Sequence, residues 1–244
     1  GLSWAISGSK ENREILERGY GVRCDLGAIA KIALGSKPQE KLKKIKTEVG
    51  VPVAAKLVER EKTLEDIIKR MGECYIQPKY DGLRVQVHYS KKGFSKYLDS
   101  HNMTLFEETE EEKSELTQHV RIFSRNFEDL TTMFPELAKD VLELNVDSVI
   151  LDGEAIGFNP VSNEFLAFQD TIKRKRKYNI ADTVEKFPVE VHVFDILELN
   201  GKDMLYVAIE ERLEILTKLF NKNHTKHFKL TKTDLVERSE DMKL

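Results

Sequence analysis

Residues 74–89 (CYIQPKYDGLRVQVHY) combine a lysine, a tight turn and an arginine in a way that ordinary strand packing does not require. Pro78 cannot donate to a strand ladder, so an incoming strand over residues 75–77 should end there. Asp81-Gly82 favours a hairpin turn, because both residues tolerate positive φ. After Gly82 the side chains alternate between two faces, as in a half-buried strand: Leu83, Val85 and Val87 against Arg84, Gln86 and His88. Lys79 is therefore expected at the corner between strand and turn.

A lysine at such a corner has two interpretations. It is either a solvated surface side chain or a nucleophilic amine. A nucleophilic amine must be uncharged to react. Partial burial or a nearby cation such as Arg84 favours the uncharged form by lowering the pKa of the amine. The local residues alone leave both interpretations open.

The composition is that of a globular protein. The chain has 244 residues, of which 40% are hydrophobic and 33% charged, enough to bury a sizeable core. No apolar run reaches membrane-span length, and the N-terminal residues do not resemble a signal peptide. Cys24 and Cys74 stand far apart without a CxxC spacing, which indicates a reducing cytoplasm and neither structural zinc nor disulfides.

The net charge of −3 conceals strong segregation of charge. Residues 107–115 (EETEEEKSE) carry six glutamates and one lysine, whereas residues 173–177 (KRKRK) carry five positive charges. The acidic run is typical of a solvated insertion. The basic run fits a solvated helix face and a nucleic-acid contact equally well.

The chain changes character near residue 51. Before it, helical spacing predicts three short helices, over residues 9–18, 22–35 and 38–46, with Gly19 and Gly21 breaking the first. After it, strands are predicted with helices between them. A long polar segment at residues 91–119 interrupts the sheet. The predicted strands cover residues 120–124, 148–158 and 189–199, and the predicted helices cover residues 64–71, 127–144 and 208–220.

Two later strands carry polar or aromatic residues of interest. Asp152 and Glu154 project from one face of a strand flanked by apolar residues, which favours a polar cleft over a core position. Phe194 lies on the more polar face of residues 189–199, where it is either packed or available to stack on a base. His192 is interpreted as structural, because no second histidine stands at metal-ligand spacing.

Lys79-Tyr80-Asp81-Gly82-x-Arg84 resembles the KxDGxR motif of covalent nucleotidyltransferases, and its surroundings resemble ATP-dependent DNA ligases of the archaeal and eukaryotic type. Further segments follow in the order of that family. They are RIFSRN at 121–126, SVILDGEAIGF at 148–158, Phe168-Gln169 with the basic run, and VEVHVFDILEL at 189–199. Residues 19–34 (GYGVRCDLGAIAKIAL) resemble the end of the helical DNA-binding domain that precedes the catalytic core.

The resemblance implies a role for each matching residue. Lys79 would be the nucleophile, and the nucleotide would be bound by Gln77, Arg84, Arg125, Glu154 and Phe194. Glu154 would also help to hold a metal ion, and DNA phosphates would be contacted by Arg174, Lys175, Arg176 and Lys177. Gln77 departs from the family, which commonly has glutamate there to accept a hydrogen bond from adenine.

The implied fold is α+β, a nucleotidyltransferase (ATP-grasp-like) domain of antiparallel sheets flanked by helices and preceded by a short all-α fragment. Residues 1–46 would be the tail of the DNA-binding domain. Residues 47–244 would be the adenylation domain, truncated before its last nucleotide-binding motifs and the OB-fold. The insertion at residues 91–119 lies outside the resemblance.

The implied function is the ATP-dependent sealing of nicks in double-stranded DNA through a lysine–AMP intermediate, with Mg²⁺ as cofactor. We expect a monomer in the cytoplasm, or at the nucleoid in a prokaryote, without membrane association. Two alternatives stay open. One is an RNA ligase or capping-type guanylyltransferase, which the N-terminal helices disfavour. The other is a noncatalytic nucleic-acid-binding module, which the basic run and the missing motifs favour.

Overall fold

The computed structural model describes residues 1–94, 115–159, 161–162, 164–166, 169, 184, 188–223 and 225–242. The basic run at 173–177, with the four residues expected to contact DNA, lies outside the described residues, as do residues 107–114 of the acidic run. Within the described part of the chain, no helix has both the length and the apolar character needed to cross a membrane.

The N-terminal part is a small helical cluster with its own core. Its helices are α1 (Leu2–Ser7), α2 (Arg13–Val22), α3 (Leu26–Ala33) and α4 (Pro38–Lys43). They pack around Leu16, Ile29, Ala33 and Leu42, which are all buried. The Asp25 carboxylate caps α3 by accepting a hydrogen bond from the Ala28 N–H (2.8 Å).

The prediction that Gly19 and Gly21 break the helix predicted over residues 9–18 is wrong, since α2 runs through both to Val22. A Cβ atom on Gly19 would lie 3.2 Å from Ile45 Cδ1 and 3.4 Å from Leu42 Cδ2. The glycine therefore lets α2 approach its neighbours closely, and this packing outweighs its low helix propensity.

After residue 46, the described residues form two sheets and the helices that flank them. Its strands are β1 (Cys74–Ile76), β2 (Leu83–Ser90), β3 (Val120–Ser124), β4 (Ser148–Gly157), β5 (Val189–Leu199), β6 (Lys202–Asp203), β7 (Phe228–Leu230) and β8 (Asp234–Val236). Its α-helices are α5 (Leu64–Met71), α6 (Glu115–His119), α7 (Pro135–Leu142) and α8 (Ile209–Lys222). Two 3-10 turns cover Thr131–Met133 and Ser239–Met242.

The larger sheet has the strand order β3-β2-β4-β5-β6, with every neighbouring pair antiparallel, and β7 joins β5 in parallel. The smaller sheet pairs β1 with β8. The α+β class and the antiparallel sheets predicted from the sequence are confirmed.

The predicted hairpin at Asp81-Gly82 is wrong, because β1 pairs with β8 while β2 pairs with β3 and β4. Gly82 serves a different purpose. A Cβ atom at this position would lie 2.5 Å from the Ala155 carbonyl oxygen, closer than two such atoms can approach. Glycine is therefore needed for the start of β2 to lie against β4.

Both faces of the larger sheet are covered near its centre. One face packs on α7 and α8 through a core that includes Val85, Val87 and Leu216. The other face meets residues 47–53, which connect the helical cluster to the sheets, and here Val53 packs on Ile150 and Leu197.

A buried polar network fastens this connection to β2. The Gly50 N–H donates to His88 Nδ1 (3.0 Å), so the imidazole proton lies on Nε2, which donates to Gln86 Oε1 (3.0 Å). Gln86 exchanges two hydrogen bonds with the Val53 backbone, at 2.8 and 3.2 Å. Burial lowers the pKa of His88 to about 3, which keeps the ring neutral.

Candidate active site

A cavity of about 870 Å³ opens at the end of β2 nearest Lys79. It lies between the turn that precedes β2, the paired strands β2 and β4, and the turn that follows β3. Its lining includes four of the six residues predicted to bind or react with a nucleotide: Lys79, Arg84, Arg125 and Glu154.

Lys79 lies in the turn between β1 and β2, which is fixed on both sides. Strand β1 ends at Ile76, just before Pro78, and the Gly82 N–H donates to Glu154 Oε1 (3.2 Å) on β4. Lys79 is exposed, and its amine makes no hydrogen bond or ion pair with any residue that the structure describes. The turn therefore presents an unpaired amine to the cavity.

Arg84 is held by the carboxylate of Asp152. Its Nε donates to Asp152 Oδ1 (2.9 Å) and its Nη2 to Oδ2, a bidentate pair across the sheet. The side chain of Arg84 is 23% exposed and that of Asp152 only 4%. Burial raises the pKa of Asp152, while the Arg84 guanidinium opposes that rise. The arginine predicted to contact phosphate thus has two of its donors engaged already.

Glu154 is half-buried opposite Arg84 on the neighbouring strand. Burial raises the pKa of its carboxyl, whereas the Gly82 N–H and the positive charge of Lys79 act in the opposite direction. One carboxylate thus joins the lysine turn to the sheet and faces the same cavity as the amine.

Arg125 is presented by a tight turn after β3. The Ser124 hydroxyl accepts hydrogen bonds from the Asn126 N–H (3.2 Å) and the Glu128 N–H (3.1 Å), and Phe127 takes a left-handed conformation with φ of 67°. Arg125 projects from this turn, exposed and without a hydrogen-bond or ion-pair partner among the described residues.

Gln77 and Phe194, the other two residues predicted to bind the nucleotide, are not among the lining residues of the cavity, but they contact each other. Gln77 Nε2 donates to the Phe194 carbonyl oxygen (3.3 Å) and to Thr233 Oγ1 (3.0 Å). A carbonyl can only accept, so this contact places the amide nitrogen of Gln77 toward Phe194 and leaves its oxygen as an acceptor. The Phe194 side chain is half-buried.

Sequence reasoning missed a group of three rings around Tyr80. The Tyr80 and His192 rings lie 4.3 Å apart, and Phe165 packs edge-on against both, at 6.3 and 5.5 Å. Sequence reasoning also missed Thr233, which lies 156 residues from Gln77 and has no local signal. Across the described ranges, no group of three or more His, Cys, Asp or Glu side chains is arranged to hold a metal ion.

Comparison with known proteins gives a family match. The model of the ATP dependent DNA ligase domain matches residues 113–243. A probable DNA ligase of Dictyoglomus turgidum is 42% identical over 217 residues, which cover 87% of this chain and 33% of that protein. A DNA ligase of Sulfophobococcus zilligii is 36% identical over 223 residues, which cover 91% of this chain and 32% of that protein. The chain spans about a third of the length of these relatives.

Among solved structures, a mycobacterial DNA ligase D complexed with ATP and MES matches with a TM-score of 0.47 and 22% identity. The match covers 74% of this chain and 46% of the other.

Proposed function

Because the chain belongs to the ATP-dependent DNA ligase domain family, we propose that it carries the nucleotidyl-transfer site of a DNA ligase, with Lys79 as the nucleophile. The observation that carries this proposal is the unpaired amine of Lys79 on a cavity large enough for a nucleotide.

The first step would form a bond between Lys79 Nζ and the α-phosphorus of ATP. The bond from that phosphorus to the bridging oxygen breaks, pyrophosphate leaves, and the amine gives up a proton to solvent. The AMP would then pass to the 5′-phosphate of a nick in duplex DNA. Attack by the 3′-hydroxyl on that phosphate would release AMP and seal the strand.

Arg125 is the cation best placed to bind a phosphate of ATP. It lines the cavity without a partner among the described residues, whereas Arg84 is already paired with Asp152. We assign Arg84 a supporting part, in which its charge contributes to the field of the cavity. The basic residues 174–177, outside the described residues, are proposed to contact DNA phosphates.

The base would lie beside Gln77 and Phe194. The free amide oxygen of Gln77 can accept a hydrogen bond from the amino group of adenine, and guanine offers a carbonyl oxygen at the matching position. Phe194 would stack on the base. These contacts support ATP over GTP as the nucleotide.

The site also fits a magnesium ion. Mg²⁺ in nucleotide sites is bound by one or two carboxylates together with substrate phosphates, and Glu154 supplies a half-buried carboxylate on the cavity. When bound, Mg²⁺ would offset negative charge on the phosphates.

The proposal predicts that ATP labelled at its α-phosphate transfers label to the chain in the presence of magnesium, and that Lys79→Ala abolishes the transfer. The matched control is Lys139→Ala, which removes an exposed lysine of α7 and should label like the parent. The bond should be acid-labile, as a phosphorus–nitrogen bond is, and label from GTP should be much weaker.

Nick sealing can be tested by grafting. This chain would replace the matching third of the Dictyoglomus turgidum relative, whose sealing activity serves as the reference. Sealing by the chimera that disappears with Lys79→Ala would support the ligase assignment. A folded chimera that neither takes up label nor seals would contradict it and favour a noncatalytic nucleic-acid-binding module.

A further inference from the structure

Residues 56–62 (KLVEREK) pass beside the active-site cavity on the way to α5. Leu57 lines the cavity although its side chain is 74% exposed, and Val58 is 93% exposed. Within the described residues, no backbone hydrogen bond joins this segment to the rest of the chain. The segment therefore lies on the surface, and each of its residues except the half-buried Glu61 is exposed.

The two acidic residues of the segment share one arginine, so one of their two negative charges is offset within the fold. Arg70 on α5 donates to both Glu59 and Glu61, one carboxylate on each end of its guanidinium. By contrast, Lys56, Arg60 and Lys62 are all exposed and have no ion-pair or hydrogen-bond partner in the described part of the chain. The segment therefore presents a net cationic surface, which its sequence of alternating charges does not suggest.

The three cations are spread along the segment. Lys56 lies four residues before Arg60, and Lys62 lies two residues after it. The two carboxylates on either side of Arg60, those of Glu59 and Glu61, are both engaged by Arg70. The three cations therefore form a row rather than a cluster.

We propose that residues 56–62 bind the phosphate backbone of nicked duplex DNA beside the Lys79 cavity. A row of unpaired cations suits a regularly charged polyanion, and its contacts with phosphate would position the duplex without selecting a sequence. Leu57 lines the cavity and directly follows Lys56, so the row begins at the edge of the cavity. The identification of this polyanion as DNA rests on the proposed function.

The test measures the affinity of the chain for a 5′-phosphorylated nicked duplex across a range of salt concentrations. The triple variant Lys56→Gln, Arg60→Gln and Lys62→Gln removes the row. Each lost phosphate contact lowers the salt slope by about 0.9, so three contacts lower it by about 2.7 and weaken binding at least about tenfold at 0.1 M salt. The control removes three exposed lysines near α7 and α8, by Lys139→Gln, Lys222→Gln and Lys226→Gln, with the same change in net charge.

A second variant tests the pairing of the two glutamates with Arg70. Arg70→Gln leaves the row of cations in place but frees the carboxylates of Glu59 and Glu61, and it should weaken DNA binding several-fold. The inference is overturned if the triple variant and the control have equal salt slopes, or if the parent shows no salt-dependent binding.

Label transfer from ATP separates this inference from the proposed function. The triple variant should label Lys79 as the parent does, because the row contacts DNA and not the nucleotide. A chain that binds DNA through the row but takes up no label would retain this inference and overturn the enzymatic proposal.

Discussion

Two ends of one face of β2 differ sharply in their surroundings. At one end Arg84 lines the cavity that Lys79 also lines, and its side chain is 23% exposed. Four residues further on, His88 is 0% exposed, beneath the segment that connects the helical cluster to the sheets. The sequence places both residues on the same face, but only the fold determines which of them meets solvent.

The comparison shows how polar side chains are stabilised on a buried face. At the cavity end two opposite charges stabilise each other, since the Arg84 guanidinium donates two hydrogen bonds to the Asp152 carboxylate. At the far end a neutral network uses backbone groups of Gly50 and Val53. Charge is therefore kept at the end where a charged substrate would bind, and excluded from the other.

The largest effect is expected from Arg84→Met, which leaves the buried Asp152 carboxylate without its partner. We expect the free energy of unfolding, measured in urea, to fall by about 3–5 kcal/mol, because an unpaired buried charge is costly. Arg13→Met, which breaks the exposed pair with Glu17, is the control and should cost less than about 1 kcal/mol. Equal losses for the two variants would show that the Asp152 site is open to water.

The contribution of His88, at the far end of β2, to the free energy of unfolding should depend on pH. The pKa of His88 falls from 6.5 in the unfolded chain to about 3 in the fold, so the unfolded chain binds the extra proton between these values. Stability from this group is complete above pH 6.5 and is lost as the pH falls, by about 1.4 kcal/mol per pH unit. Between pH 7 and pH 5 this amounts to about 2 kcal/mol.

The His88→Asn variant cannot take up that proton, yet its amide oxygen can still accept the Gly50 N–H. Its unfolding free energy should therefore change less between pH 7 and pH 5 than that of the parent. Parallel profiles for the two proteins would mean that His88 is not excluded from solvent.

The smallest effect is expected from Ser124→Ala, at the edge of the cavity. The substitution leaves the Asn126 and Glu128 N–H groups without their acceptor, and it should cost about 1 kcal/mol of unfolding free energy. Because the turn presents Arg125, we also expect a higher ATP concentration for half-maximal labelling of Lys79. Ser162→Ala, in an exposed turn, is the control. Unchanged labelling by Ser124→Ala would remove Arg125 from the nucleotide site.

Local patterns predicted much of the fold. The bounds predicted for α5 (Leu64–Met71), β3 (Val120–Ser124) and β5 (Val189–Leu199) are those observed. These elements have clear hydrophobic periods, so their local preference and their packing agree. Gly19 and Gly82 were misinterpreted, because each is required by a close approach of a segment distant in sequence.

The candidate site was predictable to a similar extent. The motif singled out Lys79 and Arg84, and the strand pattern assigned Glu154 to a polar cleft; that Arg84 and Glu154 lie opposite each other on paired strands is known only from the structure. The partners of those residues could not be read in the same way. The contact of Gln77 with Thr233, and the engagement of Glu59 and Glu61 by Arg70, depend on how separate segments pack and leave no local pattern.

The connection through residues 47–53 also determines where the molecule can be divided. The Cys24 N–H donates to the Pro52 carbonyl and the Ala54 N–H to the Gly21 carbonyl, while Val53 lies in the core beneath the sheet. A protease that removes the helices must therefore cut before this connection if the sheet is to survive. Cleavage after Val53 would remove residues 47–53, which cover one face of the larger sheet. The structural boundary of the sheet region therefore lies before these residues, well upstream of its first strand.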